Sequence, residues 1–174
     1  MTEEKNLGLP ARISKGSFDS RNRFWRYGPL IIWATLIFIG SSDLLSGSHT
    51  STFLVRPLHW LFPAASDSTL GVVHFLVRKA GHFTEYAILA LLAARAFRSS
   101  SSERLSSSWF WVSLLLVAFY ALSDEWHQSF VPSRTASIND SLIDTAGGLS
   151  ALILVWLRAR RRSDSKGRRY YSRR

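Results

Sequence analysis

The sequence predicts an all-α membrane protein, a bundle of four membrane-spanning helices with a polar cavity on its outer side. Three observations carry that prediction. The apolar residues are gathered into four blocks. The basic residues are gathered on one side of those blocks. The ionisable residues that interrupt the blocks fall at one depth. Composition frames all three. A chain of 174 residues suits one domain, and this one is 47% hydrophobic with seven Trp yet carries a formal charge of +10. The two properties coexist because they belong to different regions. With no Cys, the chain has no disulfide, no thiolate metal site and no Cys nucleophile.

The four blocks are residues 25–42, 71–97, 108–126 and 138–157. A span needs about 20 predominantly apolar residues. The first block is near that length, and the other three reach it when their polar ends are counted. The first block follows a long polar region, and SSDLLSGSHT after it offers no small-x-small cleavage site. It therefore reads as an uncleaved span rather than a signal peptide. Segment 43–70 is the longest outer connection. Within it, TFLVRPLHWLF is apolar but too short to span and is interrupted by Pro57. It reads as an interfacial or re-entrant piece, or as an ordered loop with Trp60 in the headgroup belt. The serine-rich RSSSSERLSSS reads as a flexible cytoplasmic loop. The expected organisation is a basic cytoplasmic tail over 1–27, a membrane domain over 28–158 and a second basic cytoplasmic tail over 159–174.

Orientation follows from Lys and Arg. Six lie before or at the start of the first block (Lys5, Arg12, Lys15, Arg21, Arg23, Arg26), and three lie in or beside the loop between the second and third (Arg95, Arg98, Arg104). Nine more lie between Arg158 and Arg174. An even number of spans places all of these on one side, and the positive-inside rule makes that side the cytoplasm. The terminal RARRRSDSKGRRYYSRR then reads as a topology anchor on anionic lipid rather than a nucleic-acid-binding tail.

Depth gathers the polar intrusions. Helical rise puts Glu85 about 15 Å, His82 about 20 Å and Lys79 about 24 Å from the cytoplasmic end of the second span. The same rise puts Asp124 about 24 Å up the third span, and Asp144 about 21 Å and Asp140 about 27 Å up the fourth. Three segments thus deliver ionisable groups to the outer half of a core about 30 Å thick. Ionisable groups at such depth are costly unless paired or wet, which marks them as a candidate site. Spacing agrees. Lys79, His82 and Glu85 step by three, Asp140 and Asp144 are four apart, and Asp124 shares a face with His127 and Gln128. After Asp144 come Ala146, Gly147, Gly148 and Ala151, small residues that permit close helix packing.

These residues also carry a resemblance. KAGHFTEYAILALL, SDEWHQSFVPSRTASINDSLIDTAGG and, more weakly, IFIGSSD resemble the VanZ-like family of bacterial membrane proteins. Lys79, His82, Glu85, Tyr86, Asp124, Glu125, Gln128, Pro132, Arg134, Asp140 and Asp144 fill the family's polar pattern, over roughly residues 29–157. The family is named for a member associated with teicoplanin resistance. The resemblance implies a multi-pass protein of the bacterial cytoplasmic membrane and does not supply a settled activity.

Each candidate has a chemical role and a plainer one. Lys79 and Arg134 form a cationic pair at the outer opening suited to a phosphate, or they neutralise nearby acids. Glu125, Gln128, Asp140 and Asp144 complete a binding site for a polar headgroup. Glu85, His82 and Asp124 are the candidates for acid–base or proton-relay chemistry, with a structural Lys79–Glu85 ion pair as the plainer reading of Glu85. His82, Glu85, Asp124, Asp140 and Asp144 offer N and O ligands for a divalent cation, but no motif of known metal geometry is present, and no metal or cofactor is assigned. Ser123 and Ser133 lack a nucleophile context and read as turn or cap residues. Arg56, His74 and Arg78 read as interfacial, and Asp43 as a site residue or a helix cap. The expected partner is an anionic envelope lipid or lipid-linked glycan precursor. A hydrolase or transferase acting on such lipids through Glu85 and Asp124, and a structural assembly protein, are the alternatives.

Overall fold

The computed structural model describes residues 15–42, 60, 66–132 and 137–171. Among them are five helices and no strand. They are α1 (Lys15–Ser41), α2 (Asp67–Arg98), α3 (Glu103–Ser107), α4 (Trp109–Gln128) and α5 (Ile138–Tyr171). The four long helices correspond to the four apolar blocks. The expected all-α class is therefore observed.

Local signals fix the ends of α2. Ser66 caps it, accepting from the Thr69 backbone N–H at 3.3 Å, which satisfies one of the donors a helix start leaves open. Asp67 lies in the first turn, and Arg95 and Arg98 lie in the last, each matching the helix dipole. The helix stops in the serine-rich stretch, where the structure adds the short helix α3 to what the sequence reads as loop. Helix α5 runs on from the fourth block to Tyr171, through most of the expected C-terminal tail. Arg and Lys are good helix formers, so an end of hydrophobicity is not an end of helix.

Contacts fix the helix directions. Arg26 donates to Ser101 at 3.2 Å and the Trp33 indole donates to the Glu85 carbonyl at 3.0 Å, so α1 and α2 are antiparallel. The Tyr120 hydroxyl donates to the Ala34 carbonyl at 2.5 Å, and His127 stacks on Phe38 at 4.4 Å, so α4 runs with α1. Helix α5 runs with α2 and packs most extensively against it. The helices alternate in direction along the chain, an up-and-down bundle. Its core is built from Leu30, Ile37, Leu89, Val117 and Leu152 among the small residues Ala90, Ala93, Ala94, Ala121 and Ala151.

The outer surface is apolar. Phe119, Trp126, Leu115 and Ile31 are 74, 70, 69 and 63% exposed, which inverts the usual rule for large apolar side chains. By length and composition, one helix among the described residues qualifies to cross a membrane, over Ile138–Arg161 of α5. The other three expected crossings do not meet that measure. In α2 and α4 the charged site residues themselves lower the mean hydropathy.

Candidate functional site

The site lies at one end of the bundle, where α2 and α5 begin and α4 ends. Arg26, Arg95, Arg98, Arg104 and Arg158 lie at or toward the other end. Helices α2 and α5 meet there through two charged steps. Lys79 forms an ion pair with Asp140 at the mouth. One turn deeper, His82 Nδ1 stands 3.7 Å from Asp144 Oδ1. The i to i+3 and i to i+4 spacings set these two steps one above the other.

Close helix approach holds the steps in place. A Cβ at Gly147 would collide with the backbone carbonyl of Phe83, and one at Gly148 would come within 2.6 Å of Val117 Cγ1. The small residues after Asp144 thus set the spacing of α5 against α2 and α4.

Helix α4 supplies the third wall. Asp124, Glu125 and Gln128 are 3, 6 and 1% exposed, a polar cluster inside a bundle whose outside is apolar. Gln128 Nε2 donates to Asp124 Oδ2 at 2.9 Å. Glu125 Oε2 accepts from the Ser137 backbone N–H at 2.7 Å, placing a carboxylate at the start of α5, where the helix dipole favours it. Tyr86 is fully buried, with its ring 6.3 Å from that of Tyr120.

Above these groups an open pocket of about 430 Å³ lies between α2 and α5. Phe75, Arg78, Lys79, Ser137, Asn139, Asp140 and Ile143 line it. Two cations, one acid, two small polar groups and two apolar side chains suit an amphipathic anion.

The structure brings together Lys79, His82, Asp124, Glu125, Gln128, Asp140 and Asp144, as expected from sequence. It does not bring in Glu85, which lies on the exposed surface of α2. Three-residue steps each lag a full turn by about 60°, so Glu85 is rotated about 120° from Lys79. Lys79 pairs with Asp140 rather than with Glu85. The acid–base pair of Glu85 with Asp124 is therefore split between a surface and a buried layer. Among the described residues no group of three or more His, Asp and Glu converges to hold a metal ion, so the five-residue cation set is not assembled. Arg134, Ser133, Asp43 and Arg56 lie outside the described residues. Ser123 donates back to the Phe119 carbonyl at 2.8 Å within α4, a helical role rather than a turn. Trp60 is exposed.

The sequence reading places Arg78 at the interface rather than in the site and does not single out Asn139. Each adjoins a predicted site residue, and both line the pocket because its mouth is wider than one helix face. His127 was placed on the Asp124 face but stacks on Phe38 of α1 instead.

An all-helical bundle with a buried acidic layer under a cationic mouth is a polar site built into an apolar-surfaced protein. The VanZ/LLP1 family model matches residues 27–159, and the chain belongs to that family. No curated protein and no solved structure matches it.

Proposed function

We propose that this protein crosses the bacterial cytoplasmic membrane four times, with both termini in the cytoplasm. In the outer leaflet it binds an anionic envelope lipid, or a lipid-linked glycan precursor, by its phosphate. The observation that carries this reading is the pocket between α2 and α5. Its volume falls within the range of small-ligand sites. Arg78 and Lys79 offer a planar fork and a point charge for a phosphate, and Phe75 and Ile143 offer an apolar wall for the chain attached to it. The bundle's exposed Phe, Trp, Leu and Ile side chains support lipid as the surrounding solvent. Alternating helix directions support an even number of crossings.

Binding of a short-chain lipid phosphate to the purified full chain tests the reading. Arg78→Ala and Lys79→Ala each weaken binding by roughly tenfold or more, the scale of one charge-assisted hydrogen bond. Unchanged binding in the double variant sinks the proposal. Turnover of a lipid pyrophosphate that disappears in Asp124→Asn would replace binding with catalysis.

A further inference from the structure

Beneath the pocket, Asp124 and Asp144 place two carboxyl groups in one buried layer. Asp144 is fully buried, and neither of its oxygens reaches a hydrogen-bond partner. The His82 imidazole Nδ1 stands 3.7 Å from its Oδ1. Asp124 accepts from Gln128 through Oδ2, and its Oδ1 is unpartnered. A third group, which is not an acid, points to what is missing. The Tyr86 side chain is fully buried, and its hydroxyl reaches no hydrogen-bond partner.

The surrounding groups do not balance the layer. Helix α2 contributes Lys79, His82 and Tyr86, with Arg78 and Glu85 acting on His82 from farther out. Helix α4 contributes Asp124, Glu125 and Gln128, and α5 contributes Asp140 and Asp144. Helix α1 contributes no ionisable residue at this end among those described. Lys79 is engaged by Asp140 at the mouth. A carboxylate withdrawn from water with no hydrogen-bond partner is unfavourable, and a bound proton removes its charge while supplying a hydrogen-bond donor.

We propose that Asp144 forms a proton-binding site that holds one proton in the buried layer and exchanges it with the outer pocket through the His82 imidazole. The site goes beyond phosphate binding and does not depend on it. Water entering the pocket delivers a proton to His82. The imidazole passes one to the Asp144 carboxylate, and the reverse path releases it.

Infrared spectroscopy of the purified full chain in lipid nanodiscs tests this without any ligand. At neutral pH the wild type shows the C=O stretch of a protonated carboxyl, downshifted in D2O. Asp144→Asn removes that band, whereas Glu85→Gln keeps it. His82→Phe keeps the band and slows its hydrogen–deuterium exchange. Where the Asn variant folds poorly, Asp144→Glu reports the same site through a shifted band. No protonated-carboxyl band in the wild type at neutral pH overturns the proposal. So does a band unchanged in the folded Asp144 variants, or one lost in Glu85→Gln. Exchange unaffected by His82→Phe overturns the route through the imidazole.

Discussion

Glu125 shows how one side chain links two helices. Its carboxylate, near the end of α4, accepts from the Ser137 backbone N–H at the start of α5, at 2.7 Å. Glu125→Ala leaves that donor without its partner. The cost of an unsatisfied, partly buried donor is about 1–3 kcal/mol, visible as a lower Tm in a fixed detergent, while Glu125→Gln retains an acceptor and loses less. Asp140 acts in the opposite sense on the proposed phosphate ligand. It occupies Lys79, so an incoming phosphate must compete with it. Asp140→Asn removes the competitor, and titration with a short-chain lipid phosphate should show tighter binding. Weaker binding would mean that Asp140 is itself a ligand contact. Glu85→Gln should change neither stability nor phosphate affinity by more than about 0.5 kcal/mol, the usual effect of a surface change. A larger loss in either measurement would return Glu85 to the site from which its exposure separates it.

At the scale of the elements, the contact between α2 and α5 decides whether the site exists. Gly147 meets a backbone carbonyl, which cannot rotate away as a side chain can. Gly147→Ala therefore forces the helices apart, at roughly 1–3 kcal/mol for overpacking, and it should also weaken phosphate binding because Lys79 and Asp140 sit across the same seam. Gly81 is the matched control. A Cβ there meets nothing within 4 Å, so Gly81→Ala should be neutral or stabilise by up to about 1 kcal/mol through helix propensity. Equal losses in both variants would remove the packing argument. Much of this seam was legible in the sequence. The i, i+4 aspartates followed by Ala146, Gly147 and Gly148 identify a helix face that is polar at one end and small below it. The position of Glu85 was not legible in the same way. Shared-face reasoning tolerates one three-residue step, but two steps accumulate enough rotation to turn a side chain out of the cluster. Nor could spacing within one helix show that Glu125 would bind the start of the next, since that depends on how the two helices pack.

For the whole molecule, polarity is distributed along the bundle axis. Buried acids and the pocket occupy one end, and Arg26, Arg95, Arg98, Arg104 and Arg158 occupy the other. Large apolar side chains cover the sides between. The four helices were legible because each apolar block is long. The placement of each crossing was less so, because the residues that build the site also dilute the hydropathy of the helices carrying them. Topology therefore needs a test that does not use hydropathy. The natural absence of Cys makes every introduced thiol unique. Ser101 lies in the connection from α2 to α3, beside Arg26, and Ser137 lies at the start of α5, on the pocket wall. A bundle crossed four times puts these two positions on opposite faces of the membrane. Ser137→Cys should react with a membrane-impermeant maleimide added to intact cells. Ser101→Cys should react only after the membrane is opened. Asn139→Cys, exposed beside Ser137, provides a second outer probe. Labelling of all three positions from the same side would overturn the four-span arrangement. Labelling of Ser101→Cys alone from outside would invert it, and the pocket would then serve a cytoplasmic anion.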